Sequence, residues 1–332
     1  MNARTTLCAA LLSSLCWSGG CAAVKVHFIA GRVIDGLEET ASFQGTVREQ
    51  GILRDQPDTD VVSTVLYERM FKVRAEVTEP ADHAGTLFVF DGDTVKIWWP
   101  RYFFGLHVSG VTVPPWDQVE DAIESNCYWA VERYDYTRER DGWVAGRPAE
   151  VWAGRPSTHE PYVYAYTTSV DESGPMPLAV RVEDRPGHTW YGMRFDALAY
   201  DVPVPADAFA FDFPEGAVVF DWDMSDPGVT LEEAQARTQY PILVPSELPE
   251  GHSLTKVVMS SYDELEMAAL LYQHDGLWLS LSEMPNMGPI LVPELGVPVR
   301  IGSSQGVLNF VFGYTIISWP VEGTSLTLIG NL

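Results

Sequence analysis

Cysteine is scarce in this chain. Of 332 residues only four are cysteines, and three of them, Cys8, Cys16 and Cys21, lie within the first 21 positions. Only Cys127 lies further along the chain, so the sequence predicts no internal disulfide. Cys127 falls on the apolar stripe of a predicted helix, which favours a buried thiol over a reactive one.

Basic residues are also few. The chain has 21 Lys and Arg against 46 Asp and Glu, a net charge of -25. Phosphate backbones repel so acidic a protein, which argues against a nucleic-acid partner. The same charge opposes adsorption to an anionic membrane by electrostatics alone. With 46% hydrophobic and 12% aromatic residues, the chain can bury a core, which excludes general disorder.

Catalytic and metal-binding motifs are missing as well. The G-x-S-x-G match at 302–306 has no histidine after it, because the last one is His274, so a hydrolase triad is excluded and a hairpin turn is predicted. The histidines lack zinc-site spacing, and Asp221, Asp223 and Asp226 lack the spacing of a calcium loop. We therefore expect no enzyme activity, no metal and no cofactor.

The N-terminus has the pattern of a secretory signal. Arg4 is the only charge in the first 24 residues, an apolar run follows from Leu7 to Trp17, and small residues come next. That run is shorter than the ~20 residues of a bilayer span. The small residues before Cys21 fit cleavage and acylation at that cysteine, although Ser18 replaces the usual leucine; ordinary cleavage after Ala23 is the alternative. Residues 1–20 are thus predicted to be a signal peptide, and the protein to be exported.

Short strands dominate the rest of the first 220 residues. Residues 31–40 suggest a short helix, and a longer helix is predicted over 116–130 because apolar residues recur there at spacings of three and four. Candidate strands lie at 43–49, 61–67, 70–77, 86–90, 94–99, 132–140, 147–153, 162–170, 178–183 and 191–200.

The hairpin at 86–99 gives the clearest face assignment. Asp91-Gly92 is a two-residue turn signal, which predicts Phe88 opposite Val95 and Thr86 opposite Ile97. Because strand side chains alternate, one strongly apolar face results, and an even-numbered shift of the loop preserves it. Tyr162, Tyr164 and Tyr166 alternate in the same way on a later strand. Such a face covers a core or lines a cavity.

A second part of the chain follows an acidic linker. Residues 223–229 contain Asp, Pro and Gly, and Thr230 with Glu233 forms a predicted capping box for a short helix. Beyond it, seven short strands are predicted between 253 and 329. The predicted organisation is therefore a tether with a short helix at 21–41, a first domain at 42–222, the linker, and a small β-rich domain at 230–332.

Several segments in order resemble the LolA-like proteins. They are 42–47, 71–76, 87–92 with 96–100, 126–128, the V-A-G-R run at 144–147, and 209–216, which resembles the closing strand of that family. In the second part, 248–252 and 272–277 resemble the small C-terminal domain of RseB/MucB-type envelope regulators.

The resemblance implies a mainly β (α+β) protein whose unclosed antiparallel half-barrel wraps helices, followed by a small antiparallel β domain. It implies a non-enzymatic periplasmic or extracytoplasmic protein that binds a lipid or acyl chain, anchored to a membrane if Cys21 is acylated. The alternative is an RseB-like sensor or regulatory module that binds an anti-sigma factor or another envelope protein. The candidate cavity residues are Phe88, Phe90, Val95, Ile97, Trp99 and Tyr164.

Overall fold

The protein is built from two β-sheets. The structure is a computed structural model, which describes residues 36, 38–50, 60–69, 71–111, 134–156, 164–174, 176–262, 265–274, 277–285, 297–311 and 314–330. Twelve strands form the first sheet and seven form the second. The predicted signal peptide, Cys21, Cys127 and the helix at 116–130 lie outside the described residues. Of the short helix near 31–40, a last turn is described, where the Thr40 N–H donates to Gly36 O at 2.9 Å.

The first sheet is open and almost entirely antiparallel. Its strands are β1 (Ser42–Gln50), β2 (Asp60–Glu68), β3 (Lys72–Glu79), β4 (Leu87–Phe90), β5 (Val95–Trp99), β6 (Phe104–Ser109), β7 (Tyr134–Val144), β8 (Arg147–Pro156), β9 (Ala165–Asp171), β10 (Pro177–Arg185), β11 (His188–Tyr200) and β12 (Val218–Asp223). Their order is β12-β6-β5-β4-β3-β2-β1-β11-β10-β9-β8-β7, so β12 and β7 are the two edges. The sequence did not predict β6 and β12, which pair parallel, unlike the other strand pairs of this sheet among the described residues.

The β4–β5 hairpin has the predicted faces but a different register. Phe88 lies opposite Ile97 and Phe90 opposite Val95, so the predicted pairs are wrong by two residues. The loop has four residues because the Asp91 carboxylate accepts hydrogen bonds from the backbone N–H groups of Asp93 and Thr94, at 3.0 and 2.8 Å, and from the Thr94 hydroxyl. An even shift leaves every side chain on its face.

The segment at 209–216 is not the predicted closing strand. It belongs to a strap, residues 201–217, that crosses one face of the first sheet. Its carbonyls bond to side chains instead of a neighbouring strand: Lys96 Nζ donates to Phe211 O at 2.6 Å. Phe211 and Phe213 pack on Trp98, with ring centroids 6.5 and 6.2 Å away. We call this covered face the outer face.

The second sheet follows helix α1 (Leu231–Arg237). The capping box is confirmed: the Glu233 N–H donates to Thr230 Oγ1 at 3.1 Å, and the Thr230 N–H donates to the Glu233 carboxylate at 2.8 Å. The strands are β13 (Ser253–Tyr262), β14 (Leu265–His274), β15 (Leu277–Pro285), β16 (Val297–Ile301), β17 (Ser304–Val311), β18 (Tyr314–Val321) and β19 (Thr324–Gly330). The hairpin turn at Gly302 is also confirmed, with a φ of 59° that suits glycine.

The two sheets meet at an aromatic and methionine-rich junction. Phe104 and Phe220 of the first sheet pack with Met267 and Met284 of the second. Hydrogen bonds also tie β12 and the segment after it to β13: Ser260 Oγ donates to Asp221 O at 2.7 Å, and the Val229 N–H donates to Val257 O at 2.9 Å. Asp223, placed first in the predicted linker, is the last residue of β12.

Candidate functional site: the inner face of the first sheet

One face of the first sheet is lined by apolar side chains from strands in both of its halves. We call it the inner face, and it lies opposite the strap. Its buried members include Phe43, Val47, Val65, Tyr67, Ala75, Phe88, Phe90, Val95, Val108, Trp152, Val170, Leu178, Met193 and Phe195. Helix α1 does not lie on this face, because its Ala234 packs in the core of the second sheet.

Four of the predicted cavity residues lie together on this face. Phe88, Phe90 and Val95 are buried members of its core, and Ile97 is half-buried against it. Their shared face follows from the alternation of strand side chains and from the even register shift of the hairpin. Leu87, Val89 and Trp98 point the other way, beneath the strap.

The other two predicted residues are placed differently. Trp99 lies at the end of the inner face nearest the second sheet, where its ring centroid is 5.5 Å from that of Phe104. Tyr164 is not brought together with the others. Its hydroxyl accepts a hydrogen bond from Arg155 Nη1 at 2.9 Å, and the Arg155 guanidinium lies 5.2 Å from its ring centroid. Tyr166, in β9, packs on the inner face, and Tyr162 lies outside the described residues.

An aromatic group at the middle of the sheet was not among the predicted site residues. The Phe43 ring stacks on Tyr67 with centroids 4.9 Å apart and meets Phe195 edge-on at 6.5 Å. Because β1 lies between β2 and β11, these rings connect the two halves of the inner face. The sequence signal for this group lies in β1, where Phe43, Gly45 and Val47 occupy alternate positions.

One polar pair lies at an end of the inner face. The Tyr191 hydroxyl donates to Glu49 Oε1 at 2.9 Å. Burial raises the pKa of Glu49 above its usual value, and the hydrogen bond to Tyr191 opposes part of that rise. Burial and the nearby carboxylate together raise the pKa of Tyr191. An apolar face with a hydrogen-bonded carboxyl at one end suits an amphipathic ligand.

The described residues contain no metal-ligand cluster: no three His, Cys, Asp or Glu side chains among them are placed to hold an ion. Nor does any helix in the described ranges have the length and apolarity of a bilayer span.

Solved structures similar to this chain include MucB, at 19% identity over 94% of each chain with a TM-score of 0.47. The MucA/MucB complex of Pseudomonas aeruginosa matches at 17% identity over 92% of this chain and 93% of that one, with a TM-score of 0.44. A LolA superfamily protein from Nitrosomonas europaea matches at 13% identity over 57% of this chain and 99% of that one, with a TM-score of 0.29. No protein-family description and no curated protein matches the sequence. The structural neighbours of this chain thus include a member of each of the two groups that its sequence resembles, namely MucB and a LolA superfamily protein.

Proposed function

We propose that the chain is a non-enzymatic cell-envelope protein that binds a lipid or an acyl chain on the inner face. The observation that carries this proposal is the continuity of that face, which runs from Val108 through Phe88 and Phe43 to Phe195 and Trp152. Each methylene removed from water on such a surface contributes about 0.8 kcal/mol, so an acyl chain has enough contact area to bind well.

The proposal includes the finer architecture of the first sheet. We propose that the twelve strands form a half-barrel around residues 116–130, with the acyl chain beside them. Twelve strands at about 4.8 Å spacing exceed 50 Å along the sheet, whereas a helix has a diameter of about 10 Å. One helix therefore covers only part of this face. The remainder is the proposed ligand surface.

We also propose that 42–222 and 230–332 are separate domains joined at 223–229. The second sheet has a core of its own, in which Ala234 of α1 packs with Leu270 and Leu281. Its junction with the first sheet lies at Trp99, so the second domain closes one end of the inner face.

Val95→Trp is expected to reduce binding of a fluorescent fatty-acid probe, because the larger ring fills space on the inner face. Overpacking costs about 1–3 kcal/mol, which the domain is expected to tolerate. Val89→Trp is the matched control, since Val89 lies in the same hairpin but points beneath the strap. Probe titration and native mass spectrometry of both variants make the measurement.

Equal binding by the two variants would contradict the inner face as the ligand surface. If the wild type neither binds the probe nor carries copurified lipid, the second candidate function replaces the first. That candidate is an RseB-like interaction module for an anti-sigma factor or another envelope protein. Exposed large apolar side chains favour it: Trp143 is 75% exposed, Val244 51% and Phe103 45%.

We further propose that the protein is exported and tethered to a membrane through a lipid on Cys21. The small residues before this cysteine support acylation. Labelled fatty acid is expected to enter the wild type and not Cys21→Ser, while Cys127→Ser serves as the matched control. Equal labelling of the wild type and Cys21→Ser, or a mature N-terminus at Val24, would contradict the anchor.

A further inference from the structure

A row of tyrosines crosses one end of the inner face. Tyr191, Tyr166 and Tyr136 lie in β11, β9 and β7, and the strands between them contribute smaller residues. Val182 is opposite both Tyr191 and Tyr166, and Gly154 is opposite both Tyr166 and Tyr136. Because opposed residues of antiparallel strands point to the same side of the sheet, all five share one face. The three tyrosines belong to the inner-face core or pack against it.

The tyrosine row offers both apolar and polar contacts. A Cβ at position 154 would lie 2.2 Å from Tyr136 Cε1, so glycine is what lets the Tyr136 ring lie against β8. Tyr166 and Tyr191 are only half-buried. Each phenol ring combines an apolar body with a hydroxyl that donates and accepts hydrogen bonds. The row is thus suited to contact the place where an apolar chain ends and a polar group begins.

A carboxyl group joins the tyrosine row at β11. Glu49 follows Phe43, Gly45 and Val47 at alternate positions of β1, so it lies on the same inner face. The Tyr191 hydroxyl donates to its Oε1 at 2.9 Å. Within the described chain no residue bonds to its second oxygen, Oε2, which a ligand on this face could therefore reach.

This carboxyl has no counter-charge among the described residues, none of which forms an ion pair with it. Arg48, its neighbour in β1, points to the opposite face and bonds to Asp196 at 2.9 Å. Arg138, in β7, is bonded to Asp141 and lies 3.8 Å from Glu150. Lys and Arg are the residues that usually hold carboxylates and phosphates. An anionic group beside the row would meet a carboxyl and no unmatched cation.

Resting on the lipid-binding function proposed above, we propose that the tyrosine row and Glu49 hold the polar end of the acyl ligand and select an uncharged, hydroxyl-bearing end over a carboxylate or a phosphate. A hydroxyl group donates to Glu49 and accepts from a tyrosine, whereas an anion can only accept. Two carboxylates in one poorly solvated site repel each other unless they share a proton.

The acyl chain has room to extend from this polar end. The inner face continues along β1 from Glu49 over Val47 to Phe43, about 20 Å at about 3.3 Å per residue. Met193 and Phe195 line the same stretch from β11. The polar end is thereby placed at the row, and the chain lies over the apolar middle of the sheet.

The test compares monolauroylglycerol with laurate, which have the same acyl chain and differ in the polar end. Displacement of an uncharged fluorescent acyl probe gives both affinities. We expect the wild type to bind monolauroylglycerol about tenfold more tightly than laurate. Glu49→Gln keeps the shape and removes the charge, so the preference is expected to fall to about threefold or less, mainly through tighter binding of laurate.

Glu183→Gln is the matched control, because Glu183 follows Val182 in β10 and therefore points away from the inner face. It removes the same charge and is expected to keep the wild-type preference. Tyr191→Phe is a second variant at the site, in which Glu49 keeps its charge and loses its hydrogen bond. We expect it to weaken monolauroylglycerol binding about fivefold without improving laurate binding.

Circular dichroism and unfolding midpoints establish that each variant is folded. A wild type that binds laurate as tightly as the glycerol ester overturns the selection and leaves lipid binding intact, and so does an unchanged preference in Glu49→Gln. A wild type that binds neither compound refutes the proposed function and this inference with it. Laurate is expected to bind through its chain, so the fatty-acid probe used with Val95→Trp remains a valid reporter.

Discussion

Asp171→Ala is expected to lower the free energy of unfolding by about 3–5 kcal/mol, because it leaves a partly buried arginine without its counter-charge. The Asp171 side chain is completely buried and is bonded by the Arg147 guanidinium. The Tyr200 hydroxyl donates to its Oδ2 at 3.1 Å, and the Ser173 N–H donates to Oδ1 at 3.0 Å. Chemical denaturation, monitored by tryptophan fluorescence, measures the loss.

The size of this effect follows from what the carboxylate holds together. Arg147 begins β8, Asp171 ends β9 and Tyr200 ends β11, so one group joins three strands. The Arg147 guanidinium also lies 4.6 Å from the Tyr200 ring centroid. Burial and the neighbouring carboxylate raise the pKa of Tyr200, so its hydroxyl stays a donor throughout the accessible range.

Two further variants separate the stability that depends on the buried charge from the stability that an exposed ion pair contributes. Asp82→Ala removes a carboxylate that is 57% exposed and lies 3.2 Å from Arg101, and we expect a loss of at most about 1 kcal/mol. Asp171→Asn retains the side-chain shape and removes the charge, so an intermediate loss is expected. Equal losses of unfolding free energy for Asp171→Ala and Asp82→Ala would show that the buried pair stabilises the fold no more than the exposed one.

Period-two alternation made the inner face predictable, whereas the length of the hairpin loop, which sets the register, did not follow from it. The sequence placed Phe88, Phe90, Val95 and Ile97 on one face, and the structure has them there. The register was missed because the Asp91 side chain closes a four-residue loop. Alternation specifies a face robustly and a pairing partner poorly.

In the strap, by contrast, the alternation of side chains was misleading. Phe209, Phe211 and Phe213 alternate as a strand would, yet the segment forms none. Lys96 and Arg74 bind its carbonyls, from β5 and β3. Such side-chain partners, more than 110 residues away in the chain, leave no local signal in the sequence. The strand β6 was missed for a related reason: Gly105 interrupts its pattern, and Phe213 of the strap fills the space where a Cβ would lie, 2.4 Å from its ring.

In the second sheet, the sequence also carries a signal for a buried acid. Leu277, Leu279 and Leu281 were predicted to share a face, and the next position in that alternation is Glu283. Leu279, Leu281 and Glu283 are buried, and Glu283 is not exposed at all. Its carboxylate accepts a hydrogen bond from the Leu243 N–H, 2.8 Å from Oε2.

Burial raises the pKa of Glu283 to about 7, and the Leu243 N–H opposes part of the rise. A folded-state pKa above the ordinary value of 4.5 means that the fold favours the protonated acid. Its stabilising contribution is complete below pH 4.5 and is lost as the pH rises through about 7. A shift of this size corresponds to a change on the order of 3 kcal/mol.

Glu283→Gln is therefore expected to gain stability relative to the wild type as the pH rises. Near pH 5 the amide and the protonated acid are similar in size and charge, so the two proteins should unfold at similar denaturant concentrations. Near pH 8 the wild type holds a buried charge and the variant does not, so the variant should be more stable by about 2–3 kcal/mol.

Glu266→Gln is the control for the general loss of one negative charge, because Glu266 is only partly buried and pairs with Arg237 at 3.1 Å. A stability difference between Glu283→Gln and the wild type that is the same at both pH values, or that matches the control, would contradict a buried acid with a raised pKa at this position.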